Sequence, residues 1–327
     1  MVQDAAKKTR KALPLQMCGR YEYVSINDRR PYTWPKGSKL AVFLALNVEI
    51  FTLDDESNIG LIGDQPAPYV AAYGWKDYGN RVGVWRLLDM FQKLGLPCAM
   101  LLNSELYSQC PELMAESRRL GHEVVGHSRT NSEWQGVLPE DEEWAIVREC
   151  TATIAKHEGR QPKGWLGAGL SESSVTPDLL TEEGYEYVMD FGTLDDQPIY
   201  MSTRSGKPLL AVPYAQDLND YGAILTRHWT FSQYADAIID AFDELLRLAK
   251  EGETALVLPI SLHTFLVGQP AALKHLRRAL EHICKHAKDI WITTPGSIAQ
   301  HVQQLPPGTV PGDGKFVKPS SAPTEAV

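Results

Sequence analysis

Short, almost wholly apolar segments alternate with amphipathic ones along most of this chain, and that alternation narrows the fold more than any other feature. Residues 40–46, 98–102, 123–126, 164–166, 185–189, 209–213, 255–261 and 290–292 read as strands too apolar to be half-exposed. Strands buried on both faces belong in a parallel sheet covered by helices. Between them run segments of helical period, such as 80–94 with Val84, Leu87, Leu88 and Phe91 on one stripe, and 111–120, 139–158, 176–183, 231–250, 271–288 and 295–304. No Gly-rich phosphate fingerprint follows the first strand, which argues against a dinucleotide fold. About seven strand–helix units over ~270 residues fit one closed α/β barrel better than two domains. Residues 1–37 then form an N-terminal arm, 38–305 a single barrel domain and 306–327 a Pro- and Gly-rich mobile tail. The stretch 52–80 reads as a long irregular loop, a lid or an interface.

Composition excludes several classes of function. Net charge is −9 over 327 residues, a poor match to nucleic acid or an anionic membrane. No apolar run approaches the ~20 residues of a membrane span, and the first fifteen residues lack the apolar core of a signal peptide. Five cysteines, Cys18, Cys98, Cys110, Cys150 and Cys284, are scattered without paired spacing, as expected for thiols in a reducing, cytoplasmic setting.

In parallel α/β folds, chemistry sits at the C-terminal ends of the strands. Those ends carry Asn47 and Glu49, His127, Trp165, Asp195 and Asp196, Tyr214 with Asp217 and Asp220, and His263. The densest is 121–134, where a helix stops at Gly121, a short strand follows, and His127 opens a polar run through Asn131 and Glu133. Two histidines with carboxylates suit general acid–base work or metal-assisted hydrolysis. A lone strand-end histidine is as often structural, Asp195 and Asp196 can simply shape a turn, and aromatic residues such as Trp165 and Tyr214 can be core. The recurrence at one end of successive strands is more specific than any single residue.

These segments resemble the polysaccharide deacetylase superfamily. The matches are Leu46-Asn-Val-Glu49, 121–132 around His127, 164–172, Asp195-Asp-Gln-Pro, 212–220 and 260–270 around His263, spread over roughly residues 38–305. The resemblance implies a distorted (β/α)7-type barrel, and it is nearest to the branch with metal-independent allantoinases, cyclic imide hydrolases and peptidoglycan-deacetylase-like proteins. Departures from the family pattern matter most. The paired aspartates of its first motif, one the base and one a metal ligand, correspond to Asn47 and Glu49. Its two metal-binding histidines four apart correspond to His127 and Asn131. The arginine of its third motif is replaced by Trp165-Leu-Gly-Ala-Gly. The standard base is therefore absent, and an amide stands where a zinc ligand is normally found.

Two enzymatic readings follow. In one, His127, Glu49 and His263 hydrolyse a strained or activated C–N bond in a small cyclic amide, imide or ureide without metal. Asn47, Asn131, Trp165, Asp196, Tyr214 and Asp220 then contact the substrate. In the other, Glu49 and His127 hold one weakly bound divalent metal, zinc first, for N-deacetylation of a carbohydrate or other N-acetyl compound. A third reading is a catalytically degenerate binding or assembly protein. The branch implies a homo-oligomer, dimer or tetramer, acting on a small molecule.

Overall fold

The computed structural model describes residues 18–58, 61–63 and 66–314. Its strands are β1 (Leu40–Val48), β2 (Cys98–Leu102), β3 (Glu123–Gly126), β4 (Gly164–Trp165), β5 (Tyr187–Val188), β6 (Ile199–Met201), β7 (Leu209–Ala211), β8 (Leu256–His263) and β9 (Trp291–Thr293). The helices are α1 (Val70–Tyr78), α2 (Val84–Leu94), α3 (Leu106–Gln109), α4 (Pro111–Leu120), α5 (Glu140–Glu158), α6 (Thr176–Glu182), α7 (Phe231–Glu251), α8 (Thr264–Val267), α9 (Pro270–Cys284) and α10 (Pro295–Gln303).

The sheet runs β6-β7-β5-β4-β3-β2-β1-β8, parallel except for the β6–β7 pair. β8 lies along β1 from Leu40 to Asn47, so β2 and β9 must share the other edge of β1, at Leu44–Val48 and at Ala41–Phe43 respectively. The curled sheet does not close by strand pairing. Two loops cross the remaining seam onto β8: Val257 N–H donates to the Asp196 carbonyl at 2.9 Å and Ser261 N–H to the Leu218 carbonyl at 3.2 Å. This is the distorted barrel that the family resemblance implies, and not the closed one that the strand–helix repeat predicts.

The two-residue period of β1 sorts its side chains. Leu40, Val42, Leu44, Leu46 and Val48 pack outward with Val84, Leu87, Phe91, Phe242 and Leu280 of the helices. Ala41, Phe43 and Ala45 pack inward with Tyr187, Val212, Tyr214 and Val257. Asn47 continues the inward phase, and Glu49 follows one residue past the strand.

Two expectations need correction, on the stretch 52–80 and on the tail. The stretch 52–80 is not irregular throughout, since α1 occupies Val70–Tyr78 and runs through a π-helical turn, Gly79–Gly83, into α2. A buried lysine, Lys76, interrupts the apolar stripe of α1 and hid it in the sequence. The turn needs glycine: a Cβ on Gly83 would collide with the Thr264 carbonyl, and one on Gly268 with Gly83 itself. Strand β6 was also unforeseen. The tail is not mobile from 306 onward, because Thr309 and Val310 are buried and the Pro311 carbonyl accepts the Tyr200 N–H at 2.8 Å; residues 315–327 lie outside the described residues. The described part of the arm folds back on its own barrel. Trp34 is buried among the inward-facing residues and its indole Nε1 donates to the Leu256 carbonyl at 2.8 Å. Arg29 pairs with Asp195.

Among the described residues no helix is long and apolar enough to cross a membrane, and all five cysteines are free thiols.

Candidate active site

Glu49 and His127 are brought together by the loops after β1 and β3. Asn103, one residue past β2, braces both: its Oδ1 accepts the Ile50 N–H at 2.7 Å and its amide donates to the His127 carbonyl. Asn80 donates to the Glu49 carbonyl at 2.7 Å. His127 Nδ1 lies 2.7 Å from the Leu166 carbonyl oxygen. A carbonyl only accepts, so Nδ1 carries the proton, and the Nε2 of a neutral ring is left as a lone pair. That Nε2 is 3.4 Å from Glu49 Oε1.

His263 ends β8, with its Nε2 3.8 Å from the same Glu49 oxygen. Its other face is held by Asp220, whose Oδ1 accepts Nδ1–H at 2.6 Å and whose Oδ2 accepts the His263 backbone N–H at 2.8 Å. Burial opposes the charged forms of both His263 and Glu49, but their mutual attraction prevails. Asp220 and Glu49 hold the imidazolium above its ordinary range. His263, with Lys76 further off, holds the Glu49 carboxyl below its own. The site thus pairs an ionised carboxylate with a protonated histidine, the states a base and an acid need.

Three further residues support this arrangement, and none stood out in the sequence. Asp190 accepts the Gly167 N–H with both oxygens, at 2.9 and 2.8 Å, fixing the loop whose Leu166 carbonyl holds His127. Burial pushes Asp190 up to about 6 and the facing Glu172 well up. Read as a carboxylate, Glu172 has two buried oxygens with no donor; a proton shared with Asp190 would remove the like-charge repulsion between the two acids. Lys76 is buried, stands 3.7 Å from the centre of the Phe51 ring and donates to Ser57 Oγ at 3.0 Å. Burial lowers its pKa against the pull of Asp55 and Glu49. The signal that could have found Lys76 is a lysine on the apolar stripe of an otherwise short helix.

The centre is enclosed: Glu49 is 6%, His127 2% and His263 7% exposed. Aromatic rings flank it, Tyr221 at 5.5 Å and Phe265 at 5.9 Å from the His263 ring, with Trp75 and Phe51 against Phe265. The segment after Glu49 is pinned across the mouth by Asn131 N–H to the Ile50 carbonyl (2.8 Å), Thr52 N–H to Ser132 Oγ (3.0 Å) and Ser132 Oγ–H to Asp55 (2.6 Å).

A model of the family described as polysaccharide deacetylase matches residues 73–188. A putative polysaccharide deacetylase of Schizosaccharomyces pombe is 26% identical over 293 residues, covering 82% of this chain and 91% of its own. Puue allantoinase superposes with a TM-score of 0.73 at 25% identity, over 83% of this chain and 93% of its own. A probable polysaccharide deacetylase from Pseudomonas aeruginosa PAO1 superposes with a TM-score of 0.72 at 27% identity, over the same shares. Residues 73–188 thus match the polysaccharide deacetylase family, and most of the chain shares the fold of its solved members. Homologues in that family are hydrolases acting on carbon–nitrogen bonds other than peptide bonds.

Within this deacetylase-type barrel the structure brings Glu49, His127 and His263 together and moves several expected substrate contacts elsewhere. Asn47 donates to the Tyr214 hydroxyl and the Leu262 carbonyl, both at 3.0 Å, so the pair braces the barrel interior. Tyr214 is buried there with its phenol pushed up by burial. Trp165 points outward, fully buried under the helices and edge-on to Tyr185 at 5.3 Å. It sits one residue out of phase with inward Leu166. Asp196 is exposed at the seam, beside the Arg29–Asp195 pair, and has no place in the site. Asp220 meets His263 rather than a substrate. Asn131 Oδ1 is buried without a partner, as is Trp165 Nε1 beneath the helices.

Two ligands of one tetrahedral zinc at ~2.0–2.1 Å stand about 3.3–3.4 Å apart. The Glu49–His127 separation of 3.4 Å and the unpartnered Asn131 oxygen fit a divalent cation. The set is one strong ligand short of the three that catalytic zinc sites ordinarily have.

Proposed function

We propose that this protein hydrolyses a C–N bond of a small cyclic amide, imide or ureide, with Glu49, His127 and His263 as the working groups. The observation that carries the reading is the enclosure of a charged base and a protonated acid at one point behind aromatic walls. An enclosed centre flanked by rings suits a small flat substrate better than a polymer. The structural likeness to an allantoinase supports the cyclic class.

The steps follow from the protonation states. Glu49 takes a proton from water as its oxygen attacks the carbonyl carbon, while the Nε2 lone pair of His127 accepts the water's second hydrogen and orients it. As the C–N bond breaks, His263 gives its Nε2 proton to the departing nitrogen. Glu49 then returns its proton to His263 across their 3.8 Å separation, which restores both groups. Asp220 keeps the His263 ring turned so that Nε2 faces the site.

A second reading, N-deacetylation, is favoured by the Glu49–His127 spacing and by Asn131. A divalent cation there, zinc first, would be held by Glu49, His127 and the Asn131 oxygen, and would supply a more acidic water and a polarised carbonyl. Turnover of chelator-treated protein on cyclic imides, a cyclic ureide and chitooligosaccharides separates the two. Ring opening without deacetylation supports the first. Deacetylation that follows added zinc, without ring opening, overturns it.

A further inference from the structure

Away from the candidate active site, three metal-ligating side chains converge on the outer face of the α7–α9 helix pair. His282 and His286 are four residues apart. The chain continues in hydrogen-bonded turns beyond α9, with Lys285 N–H on the His282 carbonyl at 3.2 Å and His286 N–H on the Ile283 carbonyl at 2.9 Å. The two imidazole centroids are 5.6 Å apart. Asp243 reaches over from α7, its Oδ1 2.7 Å from His282 Nε2. One ligand atom from each of the three lies within 4.8 Å of the other two, and no other His, Cys, Asp or Glu trio among the described residues does so.

The surroundings restrict these donors. Phe242, buried in the core beneath α7, sits edge-on to His282 at 5.8 Å and tilted to His286 at 5.5 Å. Neither ring turns freely against it. Asp289 places a carboxylate 3.8 Å from His286 Nδ1, the kind of outer partner that orients a ligating histidine. The His282 and His286 side chains are 27% and 35% exposed, so an ion and its waters can reach them.

We propose that Asp243, His282 and His286 form a peripheral binding site for a borderline divalent transition cation, zinc first. Two imidazoles and one carboxylate suit zinc, nickel or copper and disfavour calcium and magnesium, which prefer all-oxygen shells. The ion displaces the proton between His282 and Asp243 and leaves the remaining positions to solvent. It clips the end of α9 to the middle of α7. Because the three donors meet only in the fold, binding raises thermal stability by mass action.

The test uses untagged full-length protein stripped with chelator and titrated with zinc in a calorimeter, with melts run in parallel. Wild type is expected to show a zinc equivalent that persists in His127→Gln and raises Tm. In the His282→Gln/His286→Gln double variant that equivalent weakens by at least about tenfold and the Tm gain disappears. Asp243→Asn is expected to lose part of the affinity while keeping the metal-free Tm. Zinc binding and a Tm gain that are unchanged in the double variant would overturn the proposal, as would no saturable zinc binding in His127→Gln.

Discussion

The 2.7 Å contact between His127 Nδ1 and the Leu166 carbonyl decides what His127 can do. It commits the Nδ1 proton and leaves Nε2 as the atom that meets Glu49. Leu166 is itself held in place through Gly167 by Asp190, so the tautomer of the site histidine is set from the neighbouring strand end.

Replacing Glu49 by Gln removes the base and keeps its shape. We expect kcat to fall by about 10²–10⁴-fold, the usual worth of a positioned acid–base group, with KM little changed. Steady-state kinetics on the substrate found in the panel check this. A Glu49→Gln enzyme with normal kcat places the base elsewhere.

His127→Gln keeps a donor that can reach Leu166, whereas His127→Ala leaves the carbonyl buried and unpaired at a cost of about 1–3 kcal/mol. Both variants are expected to lose turnover, but only the alanine variant should melt clearly below wild type. Equal melts for the two would show that the Leu166 contact contributes little to stability.

Asp220→Asn tests the positioning of His263. The amide offers one acceptor to two His263 N–H groups, and the charge that holds the imidazolium up is gone. The alkaline limb of the pH–rate profile should therefore move to lower pH, with kcat reduced by about 10-fold or more. A lowered rate with an unmoved alkaline limb would mean Asp220 acts only through packing.

Stability should carry the same titrations. His263 has a raised pKa in the fold, so its contribution is complete below the ordinary histidine range and is lost as pH rises through the folded value. Glu49 has a lowered one, so its contribution is present above the ordinary carboxylate range and is lost as pH falls through the folded value. His263→Gln should flatten the alkaline fall of Tm and also weaken the acid fall, because His263 is the main group that holds Glu49 down. Melts in a pH series read both limbs.

Asp190 and Glu172 act in the opposite sense. Burial raises Asp190 to about 6, so its protonated form is favoured by the fold and stability is lost as pH climbs from the ordinary carboxylate range near ~4 toward that value. Glu172→Gln offers Asp190 a permanent donor and removes the like charge. The variant is expected to melt higher than wild type at neutral pH and to lose this slope. A lower Tm at neutral pH would argue against the shared proton.

The fold was legible because strands such as 40–46 and 98–102 are apolar on both faces and the helices between them carry one stripe each. Strand ends then named Glu49, His127 and His263, since side chains just past parallel strands converge on the mouth. What the sequence withheld is phase and partnership. Trp165 and Leu166 sit at the same strand end, yet one faces the helices and the other the interior, and a two-residue strand is too short to show which. Asp196 looked equivalent to Asp220 in the chain. The seam between β6 and β8 leaves the first exposed, whereas the second is buried against His263. Helix α1 was missed because the lysine on its buried face belongs to the site rather than to the core.

The central claim is best tested by kcat/KM for cyclic imide or ureide ring opening, measured on exhaustively chelated wild-type and Glu49→Gln protein. The account predicts ring opening that survives chelation and falls by about 10²-fold or more in the variant. Ring opening that is indifferent to Glu49, or activity that vanishes on chelation and returns with zinc, would contradict it.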